Sequence, residues 1–363
     1  MYVPKTHAQQ KRRSLELVGK SWSWLFLLVL VIFFSISGQG FLSFANLQNI
    51  VTDMAFALLV ALGQTFVVIS GGFDLSTGYV MGLSSIVSAL VVVAVSDRMP
   101  LPLVVLLGLL AGVIVGIIPG FLNGVIIARL SVPPFIVTLG MYGIARGAGF
   151  ILSHGQPVNV LVNGIGAFGN GFLLYILPGY SVSFLQPPPG FTNAQLRSVT
   201  QVLPFQLIIS IVLVVICHWL LSQTRFGSHI YAIGGNREAA LRAGIPVLLR
   251  TIQVYILSAF LAATAGVLYM LRFTNGAADA GDPLLLDSIA AVAIGGASLF
   301  GGEGTIVGTV IGTLIIAVIQ NGLVILGVDP FWQFITIGIV IILAVLVYQS
   351  KGRLRFFLKG SSS

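Results

Sequence analysis

"LVVLLGLLAGVIVGIIPGFLNGVIIA", Leu103 to Ala128, runs for 26 residues without one charged side chain. A stretch of about 20 apolar residues spans the hydrocarbon core of a bilayer as a helix, so this segment reads as a transmembrane helix. Gly108, Gly112, Gly116, Gly120 and Gly124 recur at every fourth position within it. That spacing lays a smooth stripe along a helix, where a second backbone can approach closely. Pro119 interrupts the amide ladder and is expected to bend the helix. Similar apolar runs lie at roughly 22–38, 50–70, 75–95, 133–152, 204–221, 252–272, 287–300, 304–326 and 330–348. The 287–300 run is short for a full crossing and reads as a half-helix or re-entrant piece, which needs protein or a cavity around it. The chain has 57% hydrophobic and only 8% charged residues, against about 25% charged in a soluble domain. The alternating segments of a membrane β-barrel are absent. The expected fold is therefore an all-α polytopic membrane protein with about ten transmembrane helices.

Ten crossings place both termini on one side. Lys5, Lys11, Arg12, Arg13 and Lys20 precede the first run. Arg129 follows the fourth, and Arg225, Arg237, Arg242 and Arg250 lie between the sixth and seventh. Lys351, Arg353, Arg355 and Lys359 follow the last, so that fourteen of the 18 basic residues share that side. Basic residues collect on cytoplasmic loops, which makes both ends cytoplasmic. The net charge of +8 then reports orientation and not nucleic-acid binding. The expected organisation is a basic cytoplasmic N-terminus (1–21), a transmembrane domain (22–350) and a cytoplasmic tail (351–363). Within the domain lie a cytoplasmic loop (222–251) and a large outside loop (153–203). The first run reads as a retained helix and not a signal peptide, because no convincing cleavage site follows it. The closing Gly360-Ser361-Ser362-Ser363 has the look of a tag remnant and is set aside.

Several chemistries find no footing. Cys217 is the single cysteine, and His7, His154, His218 and His229 are scattered, so neither a disulfide framework nor a metal-ligand spacing exists. "SLELVGKS" (Ser14–Ser21) lacks the first glycine of a phosphate-binding loop and follows no strand. "GIGAFG" (Gly164–Gly169) matches a dinucleotide-binding spacing without its strand–helix context. Asp279, Asp282 and Asp287 lack the spacing of a calcium loop, and Asp287-Ser288 can cap the eighth run. No enzyme site is expected in this chain.

Two glycine-broken hairpins stand out. In "VISGGFDLSTGYVMGLSS" (Val68–Ser85), Gly71 and Gly72 stop one helix, and Asp74 and Ser76 are good N-caps for the next. Capping accounts for Asp74; the alternative is a functional acid near the membrane. "AIGGASLFGGEGTIVGT" (Ala293–Thr309) forms the second, with Glu303 at its bend and a further stripe of Gly304, Gly308 and Gly312. Interrupted helices in both halves of a chain point to a transporter. In "RLSVPPFIVTLGMYGIARG" (Arg129–Gly147), Pro133 and Pro134 suit a first helical turn. Gly140, Gly143 and Gly147 give that helix a small-residue face. Thr138, Tyr142 and Arg146 share one face, either as room for a polar solute or as hydrogen-bonding groups of the bundle interior. The outside loop, with "QPPPGF" (Gln186–Phe191), reads as a docking surface or as a passive connector that packs on the membrane.

"YAIGGNREAALRAGIP" (Tyr231–Pro246) is a short charged helix in the cytoplasm. Asn236 can cap it and Glu238 sits in its first turn. Ala239, Ala240 and Leu241 propagate it, Gly244 suits the C′ position and Pro246 ends it. About two turns of helix are marginal alone, so this one wants a partner: the lipid surface, or a groove in a cytoplasmic protein.

Taken in order, "GGFDLSTGYVMGLS" (Gly71–Ser84), "NGVIIARLSVPPFIVTLGMYGIARG" (Asn123–Gly147), "YAIGGNREAALRAGI" (Tyr231–Ile245) and "AIGGASLFGGEGTIVGT" resemble the permeases of ATP-binding-cassette importers, specifically the ribose/xylose/autoinducer-type sugar permeases. The resemblance implies a type II importer fold in a bacterial cytoplasmic (inner) membrane. It implies a second permease copy or paralogue, a cytoplasmic ATPase that carries ATP and Mg, and a periplasmic or lipid-anchored substrate-binding protein. No cofactor is expected in this chain itself. The family's ATPase-coupling helix falls on Gly235, Asn236, Arg237, Glu238, Ala239, Ala240, Arg242 and Gly244. A pathway for a neutral sugar would be sparse in charge, with Gln64, Thr65, Asn123, Thr138, Tyr142 and Asn321 as candidate lining. Related permeases for nucleosides or branched-chain amino acids, and an ion-coupled secondary transporter, are the rival expectations. The outside loop looks longer than the family's usual one.

Overall fold

The computed structural model describes the backbone of residues 7–177, 181–186, 199–329, 331–339 and 342–343, with side chains from residue 22 onward. The "QPPPGF" stretch beyond Gln186 and the tail 351–363 lie outside the described residues, as do positions 330, 340–341 and 344–348 of the expected last span.

Helices dominate. They are α1 (His7–Ser37), α2 (Phe44–Ile69), α3 (Thr77–Val95), α4 (Leu101–Leu130), α5 (Pro134–Leu152) and the short α6 (Ile165–Asn170). After a long loop come α7 (Phe205–Gln223), α8 (Arg225–Gly235), α9 (Arg237–Arg242), α10 (Val247–Phe273), α11 (Asp282–Ile294) and α12 (Ile306–Ile325). Seven of the described helices are long and apolar enough to cross a membrane: α2, α3, α4, α5, α7, α10 and α12. In α1 the apolar part is Trp22–Ser37.

The centre of the bundle is α2, buried along nearly all its length from Ile50 to Ile69. A helix that is apolar all round belongs in an interior, and α10, α11 and α12 pack around it. The glycine stripe of α4 does what its spacing predicts. An added Cβ at Gly120 would lie 2.5 Å from the Tyr255 carbonyl oxygen, and one at Gly124 2.7 Å from the Ile252 Cα. Both partners belong to α10. At Gly112 the neighbours are Val267 and the Ser84 carbonyl. Ser84 Oγ then donates to the carbonyls of Gly112 (2.7 Å) and Ala263 (3.0 Å), tying α3, α4 and α10 together. In α12, Gly308 and Gly312 lie against Gly295 and Ala291 of α11. Gly304 does not share that stripe. It precedes the helix with φ +157°, because the Thr305 side chain caps α12 at the Gly308 amide.

One other expectation changes. Helix α11 begins at Asp282, not at a cap formed by Asp287-Ser288. Pro283 suits its first turn, while Asp287 lies inside and accepts from Gln320 Nε2 at 2.9 Å. With 13 residues it is about 20 Å long, short of a bilayer core of about 30 Å. The long loop between α5 and α7 carries strands. β2 (Phe172–Leu177) pairs antiparallel with β3 (Ser181–Phe184) and with β4 (Thr200–Pro204) in a small sheet, while β1 (Val158–Asn159) pairs with β5 (Asn275–Gly276). Alternating side chains such as Tyr175 and Leu177 of the central strand are buried on one face of the sheet. "GIGAFG" forms α6 and packs its Gly169 against the Leu271 carbonyl of α10, a structural contact rather than a phosphate cradle.

Candidate functional site: the short charged helix and its junction with the bundle

Helix α9 has both ends closed by its own residues. The Asn236 side chain accepts from the Ala239 amide at 2.9 Å. At the other end the Gly244 amide bonds the Leu241 carbonyl (3.0 Å) and the Ile245 amide the Ala240 carbonyl (3.1 Å). Gly244 has φ +78°. This is a Schellman closure, in which glycine avoids the left-handed penalty of other residues. Ala240 does not offer a surface, since it is buried with Ile233 and Val247 under the helix. Gly235, Asn236, Arg237, Glu238, Ala239, Arg242 and Gly244 are all exposed. Glu238 and Arg242 approach at 3.7 Å with side chains 85% and 83% exposed. Such a pair is worth little in stability, so neither charge is needed to hold the fold.

The helix is not a free ornament. It continues directly from α8, which enters the floor of the bundle. The last turn of α8 needs glycine: a Cβ on Gly234 would collide with the Ile69 carbonyl and sit 2.6 Å from the Gly302 amide. The Gly302 amide donates to the Ile69 carbonyl at 2.9 Å. Gly301 stacks on Gly234 and Gly71, and the Tyr231 hydroxyl donates to the Gly304 carbonyl at 2.6 Å. Three strands of backbone thus meet without side chains between them: the end of α8 and the breaks of both glycine hairpins. Glu303 is exposed beside this junction.

Above it, the first hairpin carries a buried polar knot. Gly71 (φ +84°) and Gly72 close α2 by the same Schellman pattern, their amides bonding the carbonyls of Val68 (2.9 Å) and Val67 (3.0 Å). Asp74 Oδ1 accepts from the Ser76 amide (3.0 Å) and the Ser76 hydroxyl (2.6 Å). Asp74 Oδ2 accepts from Ser258 Oγ of α10 at 3.0 Å. Asn123 Nδ2 of α4 donates to Ser76 Oγ at 3.0 Å. Thr138 of α5 and Tyr255 of α10 reach the Phe73 carbonyl at 3.3 and 3.5 Å. Asp74 does not cap an amide of α3 as expected: it forms an Asx turn on the Ser76 amide just before the helix. Ser76 is different from the expectation: it precedes α3 but its side chain caps no amide, because its hydroxyl is committed to Asp74.

The pathway candidates therefore separate. Asn123 and Thr138 join the Asp74 knot. Thr65 bonds Thr309 Oγ1 at 2.6 Å, between α2 and α12. Asn321 and Asn46 exchange amide bonds at 2.9 Å near the other end of α12. Gln64 is fully buried, and neither of its amide atoms has a partner among the described residues. Tyr142 is half-buried, its ring 4.6 Å from Tyr79 and edge-on to it. Ser258, Tyr255, Gly234 and Tyr231 join the site through partners far away in the chain, and in the sequence only the motif "YAIGG" marks the neighbourhood of two of them.

Residues 46–345 match the family described as branched-chain amino acid transport system / permease component. The chain belongs to this permease family. Among its relatives, a ribose import permease protein of Bacillus subtilis is 39% identical over 354 residues, covering 97% of this chain and 99% of the relative. A galactose/methyl galactoside import permease protein of Escherichia coli is 33% identical, covering 95% of this chain and 98% of the relative. A xylose transport system permease protein of Haemophilus influenzae is 34% identical, covering 89% and 94% respectively. No solved structure matches. The permease is a multi-pass membrane protein and a transport component, not an enzyme. Its family match begins at α2 and reaches past α12, so it includes both hairpins, the junction and α9.

Proposed function

We propose that this permease is the membrane subunit of an ATP-driven importer and carries a monosaccharide across the bacterial cytoplasmic membrane. The observation that carries the reading is α9: a short, capped, exposed helix that follows directly on the Gly234 turn of α8, where both broken hairpins meet. The relatives named for ribose, galactose and xylose support a sugar as solute. ATP and Mg would reside on a separate cytoplasmic ATPase. A periplasmic or lipid-anchored binding protein would deliver the sugar, and a second permease copy or paralogue would complete the membrane unit.

The mechanism is alternating access. Closure of the ATPase pair moves α9, with Arg237, Glu238 and Arg242 as the contacting charges. The Gly234 junction passes that displacement to the Gly71–Ser76 and Gly295–Thr305 segments. Those segments are not helical, so they can shift by small backbone rotations while α2, α4 and α10 stay packed. Solute and ATP then bias one two-state element, as coupling requires. Uptake into vesicles that hold the assembled transporter tests the energy source. ATP dependence without any ion gradient is the expected result. Uptake driven by a sodium or proton gradient without ATP would instead favour a secondary transporter.

A further inference from the structure

Arg146 stands on α5, a helix apolar and long enough to cross the membrane. Its side chain is exposed, and among the described residues it forms no ion pair. A guanidinium within a span is costly against lipid; such groups face a bundle interior or a water-filled cavity. Reaching out to the nearer headgroups is another escape. Here the head lies against two rings, 5.4 Å from the Tyr79 ring centroid on α3 and 5.9 Å from that of Phe150, one turn further along α5. Tyr79 is itself buried and fixed edge-on against Tyr142. The surrounding face of α5 is open. A Cβ on Gly140, Gly143 or Gly147 would meet nothing within 4 Å, whereas the glycines of α4 are all filled by neighbours.

We propose that this face of α5 lines the solute's aqueous path, and that Arg146 donates hydrogen bonds to the hydroxyls of a neutral polyhydroxylated solute. Tyr142 stands beside the solute, and Tyr79 is the positioning residue that aims the guanidinium. The class of solute rests on the sugar reading above. The chemistry fits that class. The guanidinium is a planar fork of donors that matches a vicinal pair of hydroxyl oxygens. Aromatic rings suit the apolar C–H faces of a sugar.

The test uses the complete transporter, with its ATPase, in proteoliposomes. Arg146→Cys is compared with Ile114→Cys, an exposed apolar position of α4; the native Cys217 is buried. A charged, water-soluble thiol reagent should modify Arg146→Cys faster than Ile114→Cys by about tenfold or more, since thiolate forms readily only where water reaches. Saturating monosaccharide should slow that modification. Equal or slower labelling at Arg146→Cys overturns the path assignment. In uptake, Arg146→Gln should raise KM about tenfold and leave kcat nearly unchanged, with Arg146→Lys in between. An unchanged KM overturns the contact. If the unmodified transporter imports no monosaccharide, the sugar reading fails, while the labelling contrast still decides the path.

Discussion

Asp74 shows at the scale of one residue how this fold handles polarity inside an apolar chain. Its two oxygens take three donors from Ser76 and Ser258, so removing it strands three groups in a buried site. Asp74→Ala is expected to cost about 3 kcal/mol. Asp74→Asn should cost clearly less, because one oxygen still accepts and the amide can donate to Ser258. Thermal unfolding in detergent measures both, and equal losses would contradict the bonding described. Gly234 and Gly235 give a sharper contrast. A Cβ on Gly234 meets backbone on two sides, and one on Gly235 meets nothing within 4 Å. Gly234→Ala should destabilise by about 2 kcal/mol and Gly235→Ala by far less; a reversed order would sink the junction. The local half of this chemistry was readable beforehand. Gly71, Asp74 and Asn236 act within a few positions of themselves, and caps follow from local rules. Ser258 was not readable, because its partner lies 184 positions away and one serine in an apolar run has no pattern.

Among elements, α9 and α11 carry the argument. Both end in Schellman closures, and α9 starts from a side-chain cap. Six residues make too short a helix to persist alone, so its caps decide whether it is rigid enough to transmit a displacement. Asn236→Ala should cost about 1 kcal/mol locally. Hydrogen exchange at the Ala239 amide reads that directly: protection should fall there while the amides of α10 keep theirs. Unchanged protection at Ala239 would mean the cap holds nothing. The spans from α2 to α5 and α7, α10 and α12 were legible because apolar runs of that length have one solution in lipid. The start of α11 was misplaced by five residues, since Asp287-Ser288 looks like a cap while Gly281-Asp282-Pro283 serves as the entry. The small outer sheet was missed because its strands sit in a loop where no bilayer enforces a period. These are failures of local signals that tertiary packing overrides.

For the whole molecule, the fold separates rigid from adjustable parts. The α3–α4–α10 core is locked by glycine-to-backbone contacts. The segments that are not helical, Gly71–Ser76 and Gly295–Thr305, meet at Gly234, the last turn of α8 before α9. α9 meets α10 directly, through Ala240 on Val247, and meets the two breaks through Gly234 at the end of α8. The charges on α9 are highly exposed and make no contribution the fold depends on, which leaves them available for a partner. Reversing one of them in the assembled transporter tests the central claim most directly. With Glu238→Arg, sugar uptake should be lost while unfolding temperature and basal ATP hydrolysis by the partner remain near those of the unmodified protein. Uptake at the unmodified rate in that variant would contradict α9 as the coupling element.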